Sequence, residues 1–290
     1  MKVAIVTDSN SGITPDQAKE LGITVVAMPF LINDEEFFED INLSQEQFYE
    51  KLKSGANVST SQPNIFSVME TWEELLKTND EVVYIPMSSG LSNSCETAKN
   101  FAGQFNSKVE VVDNKRISVT QKQSVFDAIE LAKEGKSAKE IKQWLEQTSM
   151  NANIYIMVAT LTYLKKGGRV TPAAAAIGSL LHIKPVLKID GAKLDKFAQV
   201  MTLGQAKRKM IDQMIKDIET KYIDLVNAGK FKVFMAYTYD KEKCLEFKKE
   251  ADLALKKFNL EIELCDPLSL SVSCHIGDGA IAIAGCETYK

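Results

Sequence analysis

Val82-Val83-Tyr84-Ile85-Pro86-Met87-Ser88-Ser89-Gly90-Leu91-Ser92 passes from an apolar run, through a proline, into a serine-rich turn. The run from Val82 to Ile85 reads as a buried strand, and the residues from Ser92 to Phe105 carry a helical pattern. The same alternation spreads outward in both directions. Val3 to Thr7 is a second buried strand pattern, followed by Thr14-Pro15-Asp16-Gln17, a capping box with proline at the first helical position. Thr24 to Phe30 reads as a strand. Ser44 and Gln47 predict another capped helix running to Lys53, with Gly55 as its stop. Ile65 to Lys77 is amphipathic, and Val109 to Val112 is strand-like. Strands alternating with helices imply a parallel sheet covered on both faces, an α/β fold. Ser118 to Lys133 and Ala138 to Thr148 complete the first half as helices.

The second half has a different texture. Ile154 to Val158 reads as a strand. Leu161 to Ile183 is rich in small residues and predicts helix in pieces, broken at Gly167-Gly168. Pro185 to Ile189, the turn Asp190-Gly191 and Lys193 to Phe197 form a hairpin pattern. Leu203 to Asn227 is a long helical stretch. Lys232 to Tyr237, Lys241 to Phe258 and Leu260 to Leu264 make a strand–helix–strand unit. The expectation is two α/β lobes, 1–150 and 151–290, meeting at a cleft, with the first lobe reclaiming a late segment.

Composition narrows the function classes. The chain has 290 residues, 45% hydrophobic and 26% charged, with a net charge of −4. That is ordinary globular make-up, long enough for two cores. No basic stripe suits nucleic acid. The apolar start ends at Thr7-Asp8, too short for a secretory signal, and no run approaches a membrane span. The five cysteines show no C-x-x-C, so neither a disulfide framework nor a zinc site is expected, and a reducing cytoplasm is the simplest setting.

Three distant segments read as one anion pocket: Thr60-Ser61-Gln62-Pro63, Ser88-Ser89-Gly90-Leu91-Ser92 and His275-Ile276-Gly277-Asp278-Gly279. Helix starts after strands offer unpaired N–H groups to an anion, and ligands of open α/β sheets gather at such turns. Ser88, Ser89 and Ser92 add hydroxyls, and Gly90 permits a tight turn; Ser92 as a plain N-cap is the competing role. His275 is one of two histidines and sits between a small polar run and glycines; His182 looks like a packed histidine. Arg169, after two glycines, suits a carboxylate or phosphate at a cleft mouth. Asp8 reads as the cap of the next helix. No P-loop, no third dinucleotide glycine after Gly277-Asp278-Gly279 and no G-x-S-x-G elbow is present. Three functions stay open on residues alone: a lipid carrier, a serine hydrolase or acyltransferase using Ser92 and His275, and a small-anion or phosphosugar sensor.

Taken with Thr7-Asp8-Ser9, Leu164-Lys165-Lys166-Gly167-Gly168-Arg169, Ile183-Lys184-Pro185 and Asp190-Gly191, these motifs resemble the DegV family. Its members are bacterial fatty-acid-binding proteins that include the FakB subunits of fatty acid kinase. The resemblance implies a two-lobed fold, a parallel-sheet N-terminal lobe plus a second α/β lobe, with a long-chain fatty acid such as palmitate or oleate between them. It implies that Thr60, Ser92 and His275 hold the carboxylate. Ser61, Ser88, Ser89, Gly90, Arg169 and Gly277 would lie near the head group or a partner. The chain would be a carrier with no turnover, no metal and no cofactor, presenting its acid to a separate kinase, with at most transient contact with a membrane surface. Asn93, Asp278 and Met201 depart from the family's usual glycine, proline and arginine. Asp278 is expected to face outward and cap a short helix over Gly279 to Ile283. A fatty acid's tail would supply most of its affinity, about 0.8 kcal/mol per buried CH₂. Ala173 to Ala176, Ile177, Leu180 and Leu181 are candidates for the wall around it.

Overall fold

The computed structural model describes residues 2–176, 183–191 and 193–290. Ile177, Leu180, Leu181 and His182 lie outside the described residues. The first strands are β1 (Val3–Asp8), β2 (Thr24–Val26), β3 (Pro29–Ile32), β4 (Glu35–Phe38), β5 (Val58–Thr60), β6 (Glu81–Ile85) and β7 (Val109–Val111). Between them run α1 (Pro15–Leu21), α2 (Gln45–Lys53), α3 (Ile65–Leu76) and α4 (Ser94–Ala102), and after β7 come α5 (Val119–Lys133) and α6 (Ala138–Gln147). The remaining strands are β8 (Ala152–Met157), β9 (Lys184–Ile189), β10 (Asp195–Val200), β11 (Phe231–Tyr237), β12 (Ile262–Pro267) and β13 (Ile281–Glu287). The helices among them are α7 (Thr162–Gly167), α8 (Pro172–Ala175), α9 (Leu203–Asp217), α10 (Ile223–Asn227), α11 (Lys241–Leu255) and α12 (Leu270–Ile276).

Three sheets result. The first, in the order β2-β1-β6-β7, is parallel throughout. Its two faces bury separate cores: Ile5, Val83 and Ile85 under α5 and α6, and Val6, Val82 and Tyr84 under α3 and α4. The capping boxes expected at Thr14/Gln17 and Ser44/Gln47 form. Thr24 to Phe30 is not one strand. The chain leaves the parallel sheet after Val26, and from Pro29 it starts the small antiparallel sheet β4-β3-β5. An unbroken apolar run hides such a change of partner, because both strands draw on the same residue types.

The third sheet has the order β10-β9-β8-β13-β11-β12; only the β11–β12 pair is parallel. Its outer face carries Tyr155, Met157, Met235, Tyr237, Ile281 and Ile283, packed under α9 and α11. Its inner face turns toward the first lobe. The long helical stretch from Leu203 passes through a π turn at Ile218–Tyr222 before α10. The sequence expects no disulfide, yet α11 and β12 bring Cys244 and Cys265 into sulfur–sulfur contact, their Cα atoms 7.0 Å apart.

The chain's last quarter holds one further difference. The polar run that starts at Ser269 caps and forms α12, with Ser269, Ser271 and Ser273 buried. Gly279 to Ile283 is not a helix: Ile281 opens β13, which runs between β8 and β11 and pairs antiparallel with both. The expected cap by Asp278 therefore has no helix to cap.

Candidate functional site

The inner face of the third sheet explains why a cavity exists. Register places Ala282 opposite Ile156 and Ala236, and Ala284 opposite Ile154, which itself faces Ile189. On this face β13 carries Ala282 and Ala284 and β11 carries Ala236, where the outer face of the same two strands carries methionine, isoleucine and tyrosine. Small side chains here leave space that the first lobe does not fill. The result is a cavity of about 290 Å³. Ile117, Val119, Leu164, Leu194, Leu268, Val272 and Ile276 close its apolar part, with Met28 and Met87.

One end is polar. Thr60, Ser61, Gln62, Ser92, Asn93, Arg169 and His275 line it. Thr60 ends β5 of the antiparallel sheet; it does not follow a parallel crossover. Ser92 lies before α4, and His275 lies in the last turn of α12, which packs against α7, β3 and β5. Thr60 Oγ1 and His275 Nε2 are 2.9 Å apart. Burial, and next the positive charge of Arg169, lower the His275 pKa to about 4. The ring is therefore neutral near pH 7. If Nε2 holds its proton it donates to Thr60, leaving the threonine O–H to donate outward. Ser92 Oγ accepts from Ser94 N–H at 3.2 Å, so its proton too is available to the cavity. Arg169 donates from Nε to Leu91 O at 3.3 Å and from Nη1 to Gly167 O, tying the second motif to the glycine turn.

Other predicted positions serve the frame. The Ser88–Ser92 turn uses up most of the N–H groups expected to face an anion. Gly90 N donates to Ser88 Oγ, and Leu91 N and Ser92 N donate to Ser88 O, at 3.0–3.1 Å. Ser88 Oγ in turn donates to Gly191 O at 2.7 Å, joining the two lobes. Ser89 donates to Asp113 Oδ2 at 2.7 Å and accepts from Lys115 Nζ. Asp113 also sits near Cys95 and Glu96, but Lys99 and Lys115 already pair with it. Ser88, Ser89, Gly90 and Gly277 do not line the cavity. Asp8 is wholly buried and accepts from Asn10 N, Met87 N and Gln121 Nε2, which locks the end of β1 to the turn after β6. Ala173 to Ala176 lie in or beside α8 and do not line the cavity either.

Asp278 stays outside the cavity; its charge acts on Tyr49, Tyr163 and Lys243. Met201 is exposed beyond β10. Sequence reasoning missed Gly167 as more than a breaker. A Cβ there would sit 2.1 Å from His275 Nδ1, so only glycine lets the α7 turn close on the imidazole. It also missed Glu39 and Tyr49, which hold α12. Glu39 accepts from Leu270 N–H at the helix start, 2.7 Å, and burial raises its pKa to about 7. Tyr49 O–H donates to Ser273 Oγ at 2.9 Å.

A parallel-sheet lobe and a mixed-sheet lobe enclosing a cavity that is polar at one end define a class of two-lobed α/β binding folds. The family model of DegV, described as an uncharacterised protein family, matches residues 2–288. The chain belongs to the DegV family. A DegV domain-containing protein of Clostridium perfringens is 30% identical over 291 residues, covering 97% of this chain and 96% of the relative. A solved structure described as "Fatty Acid Binding of a DegV family Protein from Thermus thermophilus" matches with TM-score 0.87 and 25% identity, covering 99% of this chain and 100% of that one. A Bacillus subtilis structure described as "DegV, a fatty acid binding protein" matches with TM-score 0.83 and 27% identity, at 99% and 100% coverage. Among the described residues, no helix is long and apolar enough to cross a membrane.

Proposed function

We propose that this chain binds a long-chain fatty acid such as palmitate or oleate. The carboxylate is held by Thr60, Ser92 and His275, with Ser61 and Arg169 at the head-group end, and the tail lies along the alanine-faced inner sheet. The observation that carries this is a single cavity with hydroxyls, an imidazole and a guanidinium at one end and an apolar sheet face beyond them. The Thermus thermophilus and Bacillus subtilis relatives, described as fatty-acid-binding, support the same ligand class. Tail burial at about 0.8 kcal/mol per CH₂ supplies affinity that a carboxylate in water lacks.

The chain acts as a carrier that presents its acid to a separate fatty acid kinase, without a cofactor or metal. Ser92 and His275 form no nucleophile–base pair: the imidazole Nε2 meets Thr60, and Ser92 Oγ accepts from Ser94 N–H. That supports a carrier over a serine hydrolase. The apolar lining supports a lipid over a small polar anion. The lobe division near residue 150 belongs to this reading, since the parallel sheet is drawn from before it and the six-stranded sheet from after it. The late segment returns to the first lobe: Tyr289 packs on Trp144 and its N–H donates to Asp127.

Organic extraction of the purified protein, with native mass spectrometry, tests the ligand. A fatty acid released on denaturation is expected. Empty preparations that also fail to bind added palmitate or oleate would refute the reading. An acylated serine would favour the hydrolase.

A further inference from the structure

The mouth of the cavity carries two side-chain amides. Gln62, in the loop after β5, and Asn93, in the turn before α4, both line the cavity and are both exposed, so they stand where it meets solvent. Gln62 is oriented by α4. Its Oε1 accepts from Thr97 Oγ1 at 2.9 Å, which leaves Nε2 as the donating end of the amide. Thr97 lies one turn along from Asn93, on the same face, and its N–H donates to Asn93 O at 3.0 Å. Gln62 is therefore held over the first turn of α4, on the side where Asn93 stands.

Asn93 makes an independent observation. It occupies the N-cap position of α4, where an asparagine side chain ordinarily accepts from the second or third N–H of the helix. Here φ is −76° and ψ is −5°, and the carboxamide makes no cap bond. Ser92 takes that role, accepting from Ser94 N–H at 3.2 Å. The Asn93 main chain is thus fixed by the helix while its amide is left to the cavity.

A count of donors gives these amides a use. An ionised carboxylate has two oxygens and about four acceptor sites. Thr60 and Ser92 supply one hydroxyl proton each. The His275 imidazole is turned to Thr60, and Arg169 spends Nε and Nη1 on Leu91 and Gly167. The carboxylate oxygen that faces the mouth is short of donors, and Asn93 Nδ2 and Gln62 Nε2 bring two N–H groups each to that place. We infer that Asn93 and Gln62 form a carboxamide clamp across the mouth that donates to the outward oxygen of the carboxylate, and that Asn93 sets the preference for an ionised acid over an uncharged lipid of the same length. Thr97 is a positioning residue for Gln62. This rests on the fatty acid reading and adds to its head-group contacts.

The test displaces a fluorescent fatty acid from lipid-free full-length protein with palmitate or with hexadecanol, which has the same chain length and no carboxylate. The palmitate-to-hexadecanol affinity ratio is the readout, since a change in the apolar cavity moves both ligands alike. Asn93→Ala and Gln62→Ala should each lower it by roughly three- to tenfold, as expected for a hydrogen bond to a charged group at a solvated edge. Thr97→Val should lower it by less, and Thr97→Ser, which keeps the hydroxyl, should restore it. Asn93→Asp should lower it further than Asn93→Ala, by an amount that shrinks at high salt, because the added charge opposes the acid. At a helix start the same negative charge favours the fold, so urea melts of Asn93→Asp should show no loss of stability. A ratio that stays at the wild-type value in both Asn93→Ala and Asn93→Asp overturns the inference while the carrier reading stands. If palmitate does not bind wild type, the carrier reading itself falls.

Discussion

Ala284→Leu separates a lipid tunnel from an idle packing defect, because the two consequences have opposite signs. Strand β13 leaves the Gly277–Gly279 turn beside His275, and Ala284 lies two residues beyond Ala282, ~7 Å farther from the polar end. The substitution adds three carbon atoms to a buried position on the cavity face. If a tail occupies that space, about three methylenes lose their site, near 0.8 kcal/mol each, or about 2.4 kcal/mol, roughly a sixtyfold loss of affinity for palmitate. Octanoate, too short to reach Ala284, should be weakened little. In the lipid-free protein the same carbons fill empty space, so unfolding free energy should rise by up to about 2 kcal/mol. Calorimetric titration across a chain-length series, with urea melts of the lipid-free protein, reads both signs. Equal weakening of octanoate and palmitate, or no weakening of either, would refute a tail along this face.

Thr60→Val and Ser92→Ala should each weaken palmitate by roughly 1.5–3 kcal/mol, the range for a hydrogen bond to a charged group, and a double-mutant cycle should show coupling; full additivity would mean that they do not meet at one carboxylate. The pH dependence of stability follows from His275, whose folded pKa near 4 lies below its ordinary 6.5. The unfolded chain then binds more protons between those values, so lipid-free wild type should lose stability as pH falls from 6.5 to 4, by no more than about 3 kcal/mol. Glu39 and Asp127, held high by burial, act in the opposite direction, so the difference between wild type and His275→Gln in denaturant melts is the quantity to follow. A difference that does not change over this range would remove His275 as the cause.

The sequence alone carried the parallel lobe. Val3 to Thr7, Val82 to Ile85 and Val109 to Val112 are short apolar runs separated by capped helices, and strand period, capping box and glycine stop are local signals. The identity of Thr60, Ser92, His275 and Arg169 as polar residues at turns was local too. Their convergence on one cavity was not, because it depends on β5 joining an antiparallel sheet and on α12 lying between that sheet and α7. The tertiary structure alone decided where the polar groups spend their hydrogen bonds. Ser88 and Ser89 look like Ser92 in sequence, yet their partners Gly191 and Asp113 lie 103 and 24 residues away. The third sheet makes the same point for apolar residues. Ala236, Ala282 and Ala284 are unremarkable letters until register lines them up across β11 and β13. A cavity is a property of facing surfaces: it appears where small side chains on one sheet meet a neighbour that does not fill the gap, and no window of sequence contains both sides.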